Sequence, residues 1–170
     1  MSNELLSLKR NALKLGLCGK YKALWDACRT EKEVMDLALD SNGVEFLADA
    51  MAFGWGVSFD FLEKSIFRNY VHGQYLRNKD GYTSAMFVNP RFKFILTATI
   101  NLVLGDCSVI HNSQGGICKL YLSKVSNVII KNDGILELYC YGDVNVEVIN
   151  GKDATCNRHD IKQSQWLKSS

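Results

Sequence analysis

Apolar positions change their spacing about halfway along the chain. In residues 1–75 they recur at helical intervals. Leu5, Leu6, Leu8, Leu13, Leu15 and Leu17 enrich the opening segment, and Gly16 and Gly19 mark its end. Tyr21, Leu24, Trp25 and Cys28 continue at helical spacing. Thr30-Glu31-Lys32-Glu33 is a capping-box pattern, in which the Thr30 hydroxyl accepts from the Glu33 amide and the Glu33 side chain reaches back. Val34, Leu37 and Ala38 form the inward face that follows, and Ser41-Asn42-Gly43 reads as a helix stop. A further helix is predicted over 44–53, with Phe46, Leu47, Ala50 and Met51 inward, broken by Gly54-Trp55-Gly56. Ser58 is placed to cap a last helix with Phe59, Leu62, Ile66 and Tyr70 on its apolar face.

From Tyr82 to Ile149 the chain favours Val, Ile, Leu and Tyr, and apolar residues tend to alternate. The clearest runs are Ile100–Leu104, Leu120–Leu122, Leu136–Cys140 and Val144–Val148. Asn89-Pro90 reads as a turn, and residues 77–81 as a polar connector between the halves.

Within the second half, residues 117–134 and 135–152 repeat at an offset of eighteen. Ile117 matches Ile135, Leu120 matches Leu138, Tyr121 matches Tyr139, Asn127 matches Asn145, Val128 matches Val146 and Asn132 matches Asn150. Leu102 and Leu104 line up with Leu120 and Leu122 one unit earlier, while Val109 reaches Val128 only after a one-residue slip. A fixed short period is the mark of a solenoid, in which like residues stack about 4.8 Å apart. The expected columns are Leu102-Leu120-Leu138, Leu104-Leu122-Cys140 and Asn127-Asn145, with Tyr121 over Tyr139 outside. An antiparallel meander or sandwich is the alternative, because Asn132-Asp133-Gly134 and Asn150-Gly151 are also strong hairpin signals. The expected fold is therefore α+β. A small N-terminal helical bundle (residues 1–80) packs on a short β-solenoid of ~18-residue coils (residues 81–152), followed by a C-terminal tail (residues 153–170). The helices are expected over one solenoid end and Trp166 of the tail over the other.

Two resemblances accompany this pattern. The repeated stretch resembles the bactofilin type of small β-solenoid, which implies architecture alone. Residues 15–56, LGLCGKYKALWDACRTEKEVMDLALDSNGVEFLADAMAFGWG, resemble a helical leader of uncharacterised proteins carried by gut Bacteroidales and their phages or mobile elements. That resemblance implies a small accessory protein and supplies no functional residue.

Composition narrows the function classes. A 47% apolar and 22% charged chain of 170 residues is long enough to bury a core, and its net charge of +2 is too small to imply nucleic acid by itself. Glu4, Lys9, Arg10 and Lys14 interrupt every apolar run near the start, so no signal-peptide pattern is present and a reducing cytoplasm is the expected compartment. The six cysteines, with no CxxC, are expected as free thiols, mostly buried.

Candidate chemistry is sparse. Cys107 with His111 and Cys156 with His159 are two Cys/His pairs, but neither has the context of a zinc knuckle, so no metal and no cofactor are expected. Gly54-Trp55-Gly56 lacks the residues of a phosphate loop. Asp36, Asp40, Asp49 and Asp60 read as solvated helix faces with no acid/base pairing. Without a convergent catalytic set, the chain reads as a non-enzymatic protein-binding or assembly module, using its β surface or a solenoid end. The alternative is nucleic-acid contact through the basic N-terminal segment, by Lys9, Arg10, Lys14, Lys20 and Lys22.

Overall fold

A computed structural model describes residues 1–15, 17–38, 40, 43–64, 76–77, 83–87, 94–96, 100–104, 109–112, 117–123 and 128–167. Five helices come first among these: α1 (Asn3–Lys14), α2 (Gly19–Ala27), α3 (Glu31–Ala38), α4 (Gly43–Phe53) and α5 (Phe59–Lys64). The described strands follow: β1 (Leu76–Arg77), β2 (Thr83–Phe87), β3 (Phe94–Leu96), β4 (Ile100–Leu104), β5 (Val109–Asn112), β6 (Ile117–Ser123), β7 (Val128–Asn132), β8 (Ile135–Tyr141), β9 (Val146–Asn150) and β10 (Thr155–Ile161). The protein is thus α+β, with its helices N-terminal.

Local chemistry sets the helix ends. The Thr30–Glu33 box forms in full. The Glu33 amide donates to Thr30 Oγ1 at 3.2 Å, and the Thr30 amide donates to Glu33 Oε2 at 2.9 Å. Ser58 Oγ accepts from the Phe61 amide at 3.1 Å and caps α5. Gly54, at φ +70°, closes α4 in the left-handed conformation that favours glycine. Gly43 opens α4 rather than stopping the helix before it. A Cβ there would lie 2.1 Å from the Leu37 carbonyl oxygen, so only glycine allows α3 and α4 to approach this closely. Of the apolar residues at helical spacing in α2, Trp25 is buried and Leu24 is exposed.

From β2 onward the strands alternate between two sheets. One has the order β1-β2-β4-β6-β8-β10, the other β3-β5-β7-β9. Apart from the β1–β2 pair, the ladders are parallel, which excludes the antiparallel meander for these strands. Like residues pair at the offset of eighteen: Ile117 with Ile135, Leu120 with Leu138, Tyr121 with Tyr139, Val128 with Val146, and Asn132 with Asn150. Leu102 and Leu104 pair with Leu120 and Leu122. Val109 pairs with Ile129 rather than Val128, so the earlier unit slips by two residues, not one. The Asn132 side chain, fully buried, donates to Asn150 Oδ1 at 2.9 Å. Asn127 of the expected asparagine column lies outside the described residues, as do Asn89-Pro90, 78–81 of the connector, and Ile66 and Tyr70.

Three further expectations are corrected. The segment expected as a tail contains β10, a seven-residue strand in register with β8. The run beginning at Val144 starts its strand two residues later, at Val146. Helix α4 lies against a sheet face and not over an end: it touches β4, β6 and β8. The physical reason is that the outward residues Tyr121, Tyr141 and Ile161 are large and apolar, and they join the helical core of Leu5, Leu8, Trp25, Met35 and Leu47. Inward residues of both sheets (Cys118, Leu120, Leu122, Val128, Ile130, Leu136, Leu138 and Cys140) form a second core.

Candidate functional site

On the outward face of the larger sheet, three adjacent rows of paired residues grade from buried to exposed. Ser123, Tyr141 and Ile161 form the row under the helices. Ser123 Oγ donates to the Ala48 carbonyl at 2.7 Å and ties β6 to α4. The next row is an aromatic ladder. The Tyr121 and Tyr139 rings stack at 4.9 Å and 8°, and Tyr139 and His159 at 4.7 Å and 15°. Tyr121 is buried under α4, Tyr139 half-buried and His159 exposed. Third come Lys119, Glu137 and Asn157, facing solvent. Parallel pairing in register produces such rows, because paired residues project from the same side of the sheet.

Glu137 links two rows. Its Oε1 accepts from Asn157 Nδ2 at 2.6 Å, and its Oε2 lies 3.2 Å from His159 Nε2. The Asn157 hydrogen bond, then the His159 contact, holds the Glu137 carboxyl below its ordinary value of 4.5. Glu45 of α4 shows the opposite effect: burial raises its carboxyl, with Lys119 opposing. Burial likewise raises the hydroxyls of Tyr121, Tyr139 and Tyr141.

A lowered carboxyl favours the fold when ionised. The Glu137 contribution is therefore present above the ordinary carboxylate value and lost as pH falls through the lowered one. Comparing thermal melting of wild type and Glu137→Gln, we expect wild type to be the more stable at neutral pH. The two should converge in acid. A gap that persists unchanged below the carboxylate range would contradict this account of Glu137.

A second polar cluster lies where the chain end meets α4. Asp49, expected on a solvated face, is fully buried. It accepts from Trp55 Nε1 at 2.6 Å, Ser164 Oγ at 2.5 Å and the Gln165 amide at 3.0 Å. Trp166 stacks on Phe46 at 4.0 Å and 27°. The tail tryptophan thus packs on the helices and not over the end of a sheet, because Asp49 fixes the two residues before it.

The basic residues singled out in the sequence lie on α1 and α2. Lys9 Nζ donates to the Asp26 and Cys28 carbonyls at 3.0 and 2.6 Å, so it ties the end of α2 to α1. Arg10, Lys14 and Lys20 are exposed, and Lys22 is half-buried.

Cys156 and His159 project to opposite sides of β10, with Cys156 beside the inter-sheet core and His159 on the outer ladder. Cys107 lies outside the described residues. Among those described, no group of three His, Cys, Asp or Glu is placed to hold a metal ion. Cys28, Cys118 and Cys140 are buried free thiols, Cys156 is half-buried and Cys18 exposed. Burial pushes Cys118 up to about 12 and Cys140 up to about 11, which disfavours their thiolates. No described helix is long and apolar enough to cross a membrane.

Comparison with known proteins gives no relative: no family model, curated protein or solved structure matches this chain. The aromatic ladder and the Asp49 cluster were not foreseen as sites. The offset of eighteen pointed to the Tyr121–Tyr139 contact, whereas nothing near Asp49 in sequence points to residues 164 and 165.

Proposed function

We propose that the chain is a non-enzymatic protein-binding module built as a short β-solenoid with a helical flank. Support for the solenoid comes from strands that alternate between two parallel sheets at a repeat of eighteen residues. The resemblance of residues 15–56 supports a role as an accessory protein of a phage or mobile element.

One observation carries the binding reading. The outward face of β7 and β9 presents Ile129 and Ile149, 36% and 48% exposed, among charged neighbours. Ile129 pairs with Glu147 and Lys131 with Ile149, so apolar and charged residues alternate in both directions across the face. Flat mixed faces on rigid repeats suit recognition of another protein surface, with the isoleucines as anchors and the charges setting register. The test is affinity capture from cells that make the protein, with wild type beside Ile129→Asp/Ile149→Asp. A partner held by wild type and lost by the folded variant is expected. Equal capture by both, or none by wild type, contradicts the reading.

A further inference from the structure

β10 is the last strand of the larger sheet, and it breaks the pattern of the core columns. Cys156, Arg158 and Asp160 occupy the register positions of Leu136, Leu138 and Cys140, all three fully buried in β8. The column Leu102-Leu120-Leu138 therefore ends in Arg158, and Leu104-Leu122-Cys140 ends in Asp160. These two side chains pair with each other: Arg158 Nε and Nη2 donate to Asp160 Oδ1 at 3.0 and 2.9 Å. They are 38% and 44% exposed, as expected of inward positions with no further strand beyond them among the described residues. Val144, Val146, Val148 and Cys156 complete the same terminal layer, half-buried against the core.

The backbone explains why this end needs protection. The Thr155 amide donates to the Gly134 carbonyl at 3.0 Å, so the odd residues of β10 turn their peptide groups toward β8. By alternation, the peptide groups of Cys156, Arg158 and Asp160 point to the open side, a template for another strand. A strand docking there would place its own inward residues over the ion pair and strip it of water. Such desolvation costs several kcal/mol per ion on the order-of-magnitude scale for buried charges, set against the attraction within the pair. Inward charge at an edge is one way in which sheets resist edge-to-edge growth. At the opposite edge of this sheet, β1 has two residues and pairs antiparallel with β2.

We infer that the Arg158–Asp160 pair is an end cap that blocks stacking of a second copy on β10, so that this protein meets partners through its sides. The inference rests on the stacked-coil reading above. It is tested by sedimentation of three full-length proteins over a dilution series. Wild type and the charge-swapped Arg158→Asp/Asp160→Arg are expected to keep the mass of one chain. Arg158→Leu/Asp160→Val, which extends the leucine column, is expected to rise toward two chains or more as concentration increases. Circular dichroism checks that each variant is folded. Should the apolar pair not fold, Arg158→Thr/Asp160→Thr removes the charges with strand-favouring residues, and the same rise in mass is expected. A folded uncharged variant that stays at one chain overturns the cap, as does wild type that associates through β10. Interstrand nuclear Overhauser contacts between Glu137 and Asn157 in wild type separate the two readings: their absence overturns the coil itself, and their presence, with no association of the folded uncharged variant, overturns the cap alone.

Discussion

Leu120→Ala is expected to lower unfolding stability by about 2–5 kcal/mol, the range for deleting a large aliphatic side chain from a packed core. Leu120 is fully buried and stands in the middle of its column, paired with Leu102 on one side and Leu138 on the other. It shares the inter-sheet core with Leu122, Ile130 and Leu138. The sheets hold their spacing through continuous backbone ladders on both sides of β6, which limits collapse around the space left behind. Urea denaturation measures the loss. Ile149→Ala is the control: Ile149 is 48% exposed, and its truncation should change stability by no more than about 0.5 kcal/mol. Equal effects at the two positions would contradict the assignment of inward and outward faces.

Asp49→Ala is expected to detach the chain end from the helices and to lower stability by about 1–3 kcal/mol. Three donors lose their acceptor at once: Trp55 Nε1, Ser164 Oγ and the Gln165 amide. Trp55 is the buried donor of the three, and a buried donor left without a partner costs about 1–3 kcal/mol, whereas the released Ser164 and Gln165 turn to water. With residues 164 and 165 released, Trp166 loses its hold on Phe46. Tryptophan emission should shift to the red, and trypsin should cleave faster after the exposed Lys162. A variant with unchanged emission, unchanged cleavage and less than about 1 kcal/mol of lost stability would show that Asp49 does not anchor the tail.

How much of this is legible in the sequence depends on how far apart the interacting residues are. The Thr30–Glu33 cap is written within four residues, and the inward face of α4 within six; both form as read. Register between β6 and β8 is visible because leucine and tyrosine recur where the two strands stack, as asparagine does between β7 and β9. β10 escapes for the converse reason. As the terminal strand it meets core on one side and solvent on the other, and its inward positions hold Arg158 and Asp160 where a repeat search looks for aliphatics. Asp49 escapes because a carboxylate on a helix ordinarily marks the wet face, and its hydroxyl and amide partners lie more than a hundred residues away. Placement of the helices on the sheet face turns on Tyr121, Tyr141 and Ile161. They alternate outward in the strand pattern, and only α4 packed against them shows that outward here means a second core.

The same distinction bears on function. Rows of paired side chains follow from the repeat, and they place the Tyr121–Tyr139–His159 ladder and the Glu137 contacts on one surface. The alternating isoleucines and charges of β7 and β9 occupy another. Cys156 and His159 are separated by the same alternation, since residues three apart on a strand project to opposite sides.

The central claim is that successive units lie parallel, like residue beside like. Interstrand nuclear Overhauser contacts in isotopically labelled protein test it most directly. Backbone contacts linking Leu120 to Leu138, Tyr121 to Tyr139 and Val128 to Val146, in the pattern of parallel strands, are the predicted result. Contacts that run in the antiparallel sense between residues 117–123 and 135–141, or none between them, would contradict it.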